Sequence, residues 1–414
     1  MIHRAAVIIS FIVAVTLAGC DLSSSLDDPA DEERSLTREL TANESKIVEG
    51  SNDFAFRLLH TLNQKEGNES FFVSPLSISM AFGMALNGAE NETYEQMRDF
   101  FGYEGMTRDE INEAKRELID LLSGLDPQVI MNIANSVWYR EGVTVKEEFL
   151  NRNRDYFDAE VRELDFGKPE APDIINAWIE EKTESLIEEM IDQIGANVVM
   201  YLINAIYFNG DWTIQFDPEE TRDEAFHLPG GGTMDVPLMR ARDQFRYYMD
   251  DEWTALDMWY GDAGFSFTAL IPSAENSLEE IVPELSMGRF TGITEQLKED
   301  TVQVYVPRFE LDYEIDNFKQ DLIDMGLTYP FGHFADFTGI TEEYPLEISD
   351  VMHRAVIKLD EEGSEAAAVT VIEFIRTSGD APQIMTIRLD RPFLFFIREN
   401  TSNTILFMGA YSGE

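Results

Sequence analysis

Cysteine is nearly absent from this chain. A single one, Cys20, stands among 414 residues, which excludes an intrachain disulfide and leaves stability to the core alone. Long apolar runs are also missing. The run from Ala5 to Leu17 falls short of a transmembrane span. Bases are scarce: 31 Lys and Arg, only nine of them lysine, face 79 Asp and Glu, for a net charge of −48. Phosphate binding needs clustered cations, so nucleic acid is excluded as a partner. Self-repulsion on this scale opposes a compact state at low salt. At about 1 M salt the Debye length is near 3 Å and the repulsion is screened. The composition therefore points to a saline habitat, and says nothing of mechanism.

Signatures of catalysis are missing as well. The chain has no Gly-x-Ser-x-Gly elbow, no phosphate-loop lysine motif and no His-Glu-x-x-His. His3, His60, His227, His333 and His353 are scattered without metal-ligand spacing. Neither a metal nor a cofactor is expected, and the protein reads as no enzyme. The many acid pairs read as solvated surface. His353, ahead of a strand, reads as a hydrogen-bonded core histidine.

What is present begins at the N-terminus. His3 and Arg4 precede the apolar run, which ends in Leu17-Ala18-Gly19-Cys20, the pattern of a short secretory signal. It resembles the lipobox of bacterial lipoproteins, in which the cysteine becomes the lipidated first residue. The expected organisation is a signal at 1–19, a Ser- and acid-rich tether at 20–48 and one domain at 49–414. The product would be an exported cell-envelope lipoprotein, periplasmic or surface-exposed, held to the membrane through Cys20.

From Asn52 the chain reads as one mixed domain. Phe54, Ala55, Leu58, Leu59 and Leu62 mark a helix capped by Ser51 or Asn52. Ile111, Ala114, Leu118, Leu121 and Leu122 mark a second, and Ile175 to Met190 a third. Strands are expected at 129–139, 198–208, 265–271, 302–306, 356–359, 393–397 and 404–408, with a turn at Gly230-Gly231-Gly232. Strands without regular βαβ alternation indicate an α+β fold.

The stretch Gly363-Ser364-Glu365-Ala366-Ala367-Ala368-Val369-Thr370 lies where a polar connection between core strands would be ordinary. Its parity says otherwise. Ser364, Ala366, Ala368, Thr370, Ile372 and Phe374 share one strand face, and Glu365 and Glu373 fall on the other. The charge-free face begins small and ends large. With Val-Thr-Val-Ile following, the run reads as a strand not yet used.

Separated motifs then converge on one family. Phe71-Phe72-Val73-Ser74-Pro75-Leu76-Ser77-Ile78-Ser79, Asn87-Gly88-Ala89, Ile203-Asn204-Ala205-Ile206-Tyr207-Phe208-Asn209-Gly210-Asp211-Trp212, Phe216-Asp217-Pro218 and Val236-Pro237-Leu238-Met239 occur in order. His353-Arg354-Ala355, Glu361 to Ala368, Asp390-Arg391-Pro392-Phe393 and Leu406-Phe407-Met408-Gly409 complete the series. From Asn52 to Met408 the chain resembles the serpins.

The resemblance implies three β-sheets, about nine helices and an exposed reactive-centre loop after Gly363. It implies inhibition as a suicide substrate. A serine protease forms its acyl-enzyme on the loop, and the cleaved loop inserts as a new central strand. The protease is dragged along and distorted before it deacylates. The expected partner is therefore a serine protease in a covalent acyl complex with a monomer.

Glu361, Gly363, Ser364, Glu365, Ala366, Ala367 and Ala368 match the hinge, whose small residues suit insertion. Ser74, Ser77, Asn204 and His353 match the shutter beneath the main sheet, and Trp212 the tryptophan near its top. Family spacing places the reactive bond at Thr377-Ser378, whereas an exposed arginine points to Arg376-Thr377. The segment from Ser378 to Arg391 is about four residues longer than usual for the family, and both bonds stay open. The alternative function is a non-inhibitory serpin-fold binding lipoprotein. A lipoprotein hydrolase is disfavoured by the missing nucleophile motif.

Overall fold

Local signals set where most elements begin. Thr41 and Glu44 form a capping box, each side chain accepting from the other's backbone N–H, so helix α1 (Ala42–Glu66) starts well before Ser51. The cap read at Ser51 or Asn52 is thereby corrected. Those two residues sit mid-helix and are buried, and the helix reaches into the stretch read as tether. The computed structural model describes residues 38–273, 276–364 and 384–413.

Eight further helices follow among the described residues: α2 (Pro75–Leu86), α3 (Asn91–Phe100), α4 (Arg108–Ser123), α5 (Glu147–Phe157), α6 (Ala171–Lys182), α7 (Leu278–Ile281), α8 (Met287–Thr294) and α9 (Phe318–Asp324). The third expected helix stops early, at Lys182 rather than Met190. Glu184 and Ser185 take positive φ. The Asn176 side chain accepts from the backbone N–H groups of Met190 and Ile191 and donates to Ile191 O at 2.8 Å. Those bonds replace the helical partners.

The strands are β1 (Phe71–Val73), β2 (Val129–Arg140), β3 (Glu160–Leu164), β4 (Met200–Asp211) and β5 (Arg222–His227). Next come β6 (Thr233–Met249), β7 (Trp253–Tyr260), β8 (Phe265–Pro272), β9 (Lys298–Pro307) and β10 (Phe309–Glu314). Last are β11 (Arg354–Leu359), β12 (Gly363–Ser364), β13 (Met385–Arg388), β14 (Phe393–Glu399) and β15 (Ile405–Tyr411). Every strand read from the sequence is present, within a few residues at its ends. Strands β1, β3, β5, β7, β10 and β13, and the long β6, were not read from it.

Three sheets result among the described residues. A nine-stranded sheet runs β1-β15-β14-β8-β7-β6-β9-β13, with β5 paired to β6. A four-stranded sheet runs β12-β4-β2-β3, and β10 pairs with β11 in a third. Phe72, Phe395, Phe407, Phe208 and Phe267 build the apolar layer between them, with the Phe72 and Phe407 rings stacked at 5.2 Å. Helix α6 covers the other face of the four-stranded sheet, placing Ile175, Trp178 and Ile179 over Trp138, Ile203 and Ala205.

Strand β1 delivers the chain to α2, and its pairing with β15 depends on Gly409. A Cβ there would stand 2.5 Å from Phe71 O. Gly409→Ala should lower unfolding free energy by about 1–3 kcal/mol, the range for overpacking, as read from urea midpoints.

Candidate functional site

The start of α2 makes the first half of the site. Ser74 is its N-cap, accepting from Ser77 N at 3.1 Å while its own hydroxyl donates to Leu406 O on β15 at 2.7 Å. Ser74 N donates to Nε2 of His353 at 3.0 Å. An accepting Nε2 assigns the ring proton to Nδ1. His353 is buried, and burial lowers its pKa to about 4, so the ring is neutral at pH 7. Ser77 Oγ donates to Asn204 O at 3.4 Å. Asn204 Nδ2 donates to Asn135 Oδ1 at 2.8 Å, and Asn135 Nδ2 to Phe157 O at 2.8 Å. Asn204 Oδ1 is a buried acceptor that no described group reaches.

Ser74, Ser77, Asn204 and His353 thus converge, although they come from β1–α2, β4 and the approach to β11. They line a cavity of about 980 Å³ between β4 and β11. Its walls include Met200 to Ile206 on one side and His353 to Val356 on the other, with Ile78 and Phe82 of α2 beneath. Among the described residues β11 pairs only with β10, and β4 meets a strand on its second edge only at its far end. The cavity is a slot between two strand edges.

Trp212 lies away from this cluster, at the top of β4, where it holds residues 360–362. Its indole Nε1 donates to Asp360 O at 2.9 Å and its backbone N to Glu362 O at 2.7 Å. Phe216 N donates to Glu361 O at 2.9 Å, and Asp360 N to Gly363 O at 3.0 Å. The chain leaving β11 is thereby turned back, and Gly363 and Ser364 pair antiparallel with Asp211 and Gly210. Only glycine fits at 363, since a Cβ would stand 2.1 Å from Gly210 O. The Glu361 carboxylate accepts from Thr221 Oγ1 at 2.6 Å and faces Arg308 at 3.4 Å.

Carboxylates crowd this corner. Burial and the charge of Asp360 raise the Asp211 pKa. Glu362 is raised by desolvation and by Asp360, Asp211 and Glu361. Ser364 is buried, and its hydroxyl lies 2.9 Å from the Tyr260 hydroxyl. Tyr260, Asn135, Thr221 and Arg308 escaped the sequence reading, because each acts on residues distant in sequence. Burial on both faces of Trp253–Tyr260 hides the alternation that would have flagged Tyr260 as inward-facing. Cys20, Glu365, Ala366, Ala367, Ala368, Arg376, Thr377 and Ser378 lie outside the described residues. Among the described residues no group of His, Cys, Asp or Glu is arranged to hold a metal ion.

The family model for serpins (serine protease inhibitors) matches residues 49–413. The chain belongs to the serpin family. It is 33% identical over 88% of its length, and 87% of the relative's, to an uncharacterized serpin-like protein of Methanosarcina acetivorans. Among solved structures it is similar to the thermophilic serpin tengpin in its native state, with TM-score 0.81, 27% identity, and 91% and 96% of the two chains covered. It is equally similar to human thyroxine-binding globulin complexed with thyroxine, with TM-score 0.81, 27% identity, and 90% and 100% covered. The fold is that of the serpins, as the resemblance implied, and the protein is a member of a protease-inhibitor family, not an enzyme. A protease is the partner class of that family.

His353 makes the stability of this serpin pH-sensitive. The imidazole titrates near 6.5 when unfolded and near 4 when folded, so between those values the unfolded chain binds the extra proton. The stabilising contribution is full above about pH 6.5 and is lost as pH falls toward 4, amounting to ~3 kcal/mol at 1.36 kcal/mol per unit. Urea midpoints at pH 7 and 5 test this. His353→Gln should lose about 2 kcal/mol less than the wild type over that interval, and equal losses would refute it.

Proposed function

We propose that this serpin inhibits serine proteases as a suicide substrate, its cleaved loop entering the slot between β4 and β11. The observation that carries this reading is the register of the hinge. Gly363 and Ser364 already run antiparallel to β4 at the head of the slot. Continued in that register, the sequence would bring Phe374 opposite Met200, the first residue of β4. Ten further residues at ~3.4 Å each make a strand of about 34 Å. Its charge-free face starts at Ser364, and its backbone would satisfy both edges. The four-stranded and two-stranded sheets would then fuse into one of six strands: β3, β2, β4, the extended β12, β11 and β10. Chain order and antiparallel pairing leave the new strand a single direction.

Small, uncharged residues at the mouth of the slot support inhibition over a purely binding role. The thyroxine complex formed by a structural neighbour keeps a binding serpin as the second reading. The bond attacked is Arg376-Thr377 or Thr377-Ser378. The first suits trypsin-like enzymes and the second elastase- or subtilisin-like ones. Export and lipidation at Cys20 complete the proposal, placing the inhibitor at the cell envelope. Metabolic labelling with radioactive palmitate in a bacterial host should mark the wild type and leave Cys20→Ser unlabelled.

Incubation with trypsin, elastase and subtilisin tests the mechanism. An SDS-stable complex with at least one is expected, and the N-terminus of the released peptide reports the bond. Ser364→Arg, which buries an unpaired charge at the first inserted position, should be cleaved at the same bond without complex. Cleavage of the wild type by all three enzymes without complex, and with no rise in melting temperature, would overturn inhibition.

A further inference from the structure

We infer that Tyr260, which belongs to none of the motifs above, is the positioning residue that fixes the insertion register through the side chain of Ser364. The inference rests on the inhibitory reading. Trp212 and Phe216 hold residues 360–362 by their carbonyls, and these bonds do not depend on which side chains the hinge carries. Gly363 has no side chain, so Ser364 is the first residue paired with β4 whose side chain meets a partner. The two hydroxyls are 2.9 Å apart and both residues are buried.

The Tyr260 hydroxyl has no freedom to follow a slipped hinge. Its ring stacks on Trp212 with centroids 4.4 Å apart and planes at 15°. The Phe208 ring meets it edge-on at 5.1 Å. Tyr260 also pairs with Phe265 in the sheet and bridges to Trp212. Trp212 in turn donates to Asp360 O, so the turn and its anchor share one rigid aromatic stack. Burial raises the Tyr260 pKa, which keeps the phenol protonated and able to bond a neutral hydroxyl.

Register matters here more than in an ordinary strand. A slip by one residue exchanges the two faces of everything that follows. After Ser364 one strand face is free of acids and the other carries Glu365 and Glu373, so a slip would turn both carboxylates inward. The main-chain clamp on 360–362 resists translation, but a strand can twist by one residue beyond it. The hydroxyl pair at 364 removes that freedom before the loop commits, and commitment competes with deacylation.

The test uses the full chain, a protease that the wild type traps, and the variants Tyr260→Phe, Ser364→Ala and the double. Each single variant should raise the inhibitor consumed per protease trapped by about five-fold, the factor of one buried hydrogen bond. The rate of first encounter should stay unchanged. The double variant should be no worse than either single. An unchanged stoichiometry, or effects that multiply, would overturn the proposal. If the wild type traps no protease, the inhibitory reading fails by itself, and hydrogen exchange then decides the anchor. Tyr260→Phe should speed exchange at residues 208–216 and 360–364, and unchanged protection there would overturn it.

Discussion

Among the described residues two strand edges face each other without a strand between them, and the rest of this structure is arranged around that fact. Backbone N–H and C=O groups on an unpaired edge invite a strand. In most sheets such an edge lies at the periphery, covered or charged. Here the open edges of β4 and β11 border one cavity, floored by α2 and lined by apolar and polar side chains together. Pairing of β4 with β2 along its whole length makes the first wall stiff. The bond from Ser74 N to His353 ties the second wall to the floor. The hydrogen bond accepted by the neutral His353 ring thus stands where the two strand edges face each other.

The turn at residues 360–364 uses a different physics from the floor. At the floor, polar side chains satisfy one another in a buried chain, and one acceptor, Asn204 Oδ1, is left over. A leftover buried acceptor carries a cost that the other bonds of the floor offset. At the top, main-chain carbonyls of 360–362 are held by Trp212 and Phe216, while Gly363 passes so close to Gly210 that no side chain fits. The crowded carboxylates of Asp211, Asp360 and Glu362 oppose this packing. Salt weakens that opposition, and so the acidic composition bears on the hinge as well as on solubility.

Much of the fold was legible in the residues because its signals are local or periodic. The strand from Val129 to Tyr139 and the terminal strands show apolar runs of the right length, and the triple glycine marks its turn. The third helix was read too long because Leu186, Ile187 and Met190 keep apolar spacing after the helix has ended. They line the slot instead, with Leu186 and Ile187 bonded to Thr183 and Met190 to the Asn176 side chain. The start of α1 was read too late because an apolar stripe, rather than the Thr41–Glu44 box, was taken as its beginning. Strands such as β7 and β10 went unseen because burial on both faces, or a mixed polar pattern, hides a period of two.

By itself the sequence determined the parity of the segment after Gly363, the absence of a catalytic apparatus and the family to which the motifs belong. Each of these depends only on residue type and spacing. Tertiary structure alone decided that Ser74, Asn204 and His353 meet, that the hinge is already turned into the head of the slot, and that Tyr260 reaches Ser364. These are contacts between residues one hundred or more positions apart, or between a strand edge and a turn. Only the packing of β4, α2 and β7 against one another places them within hydrogen-bond reach.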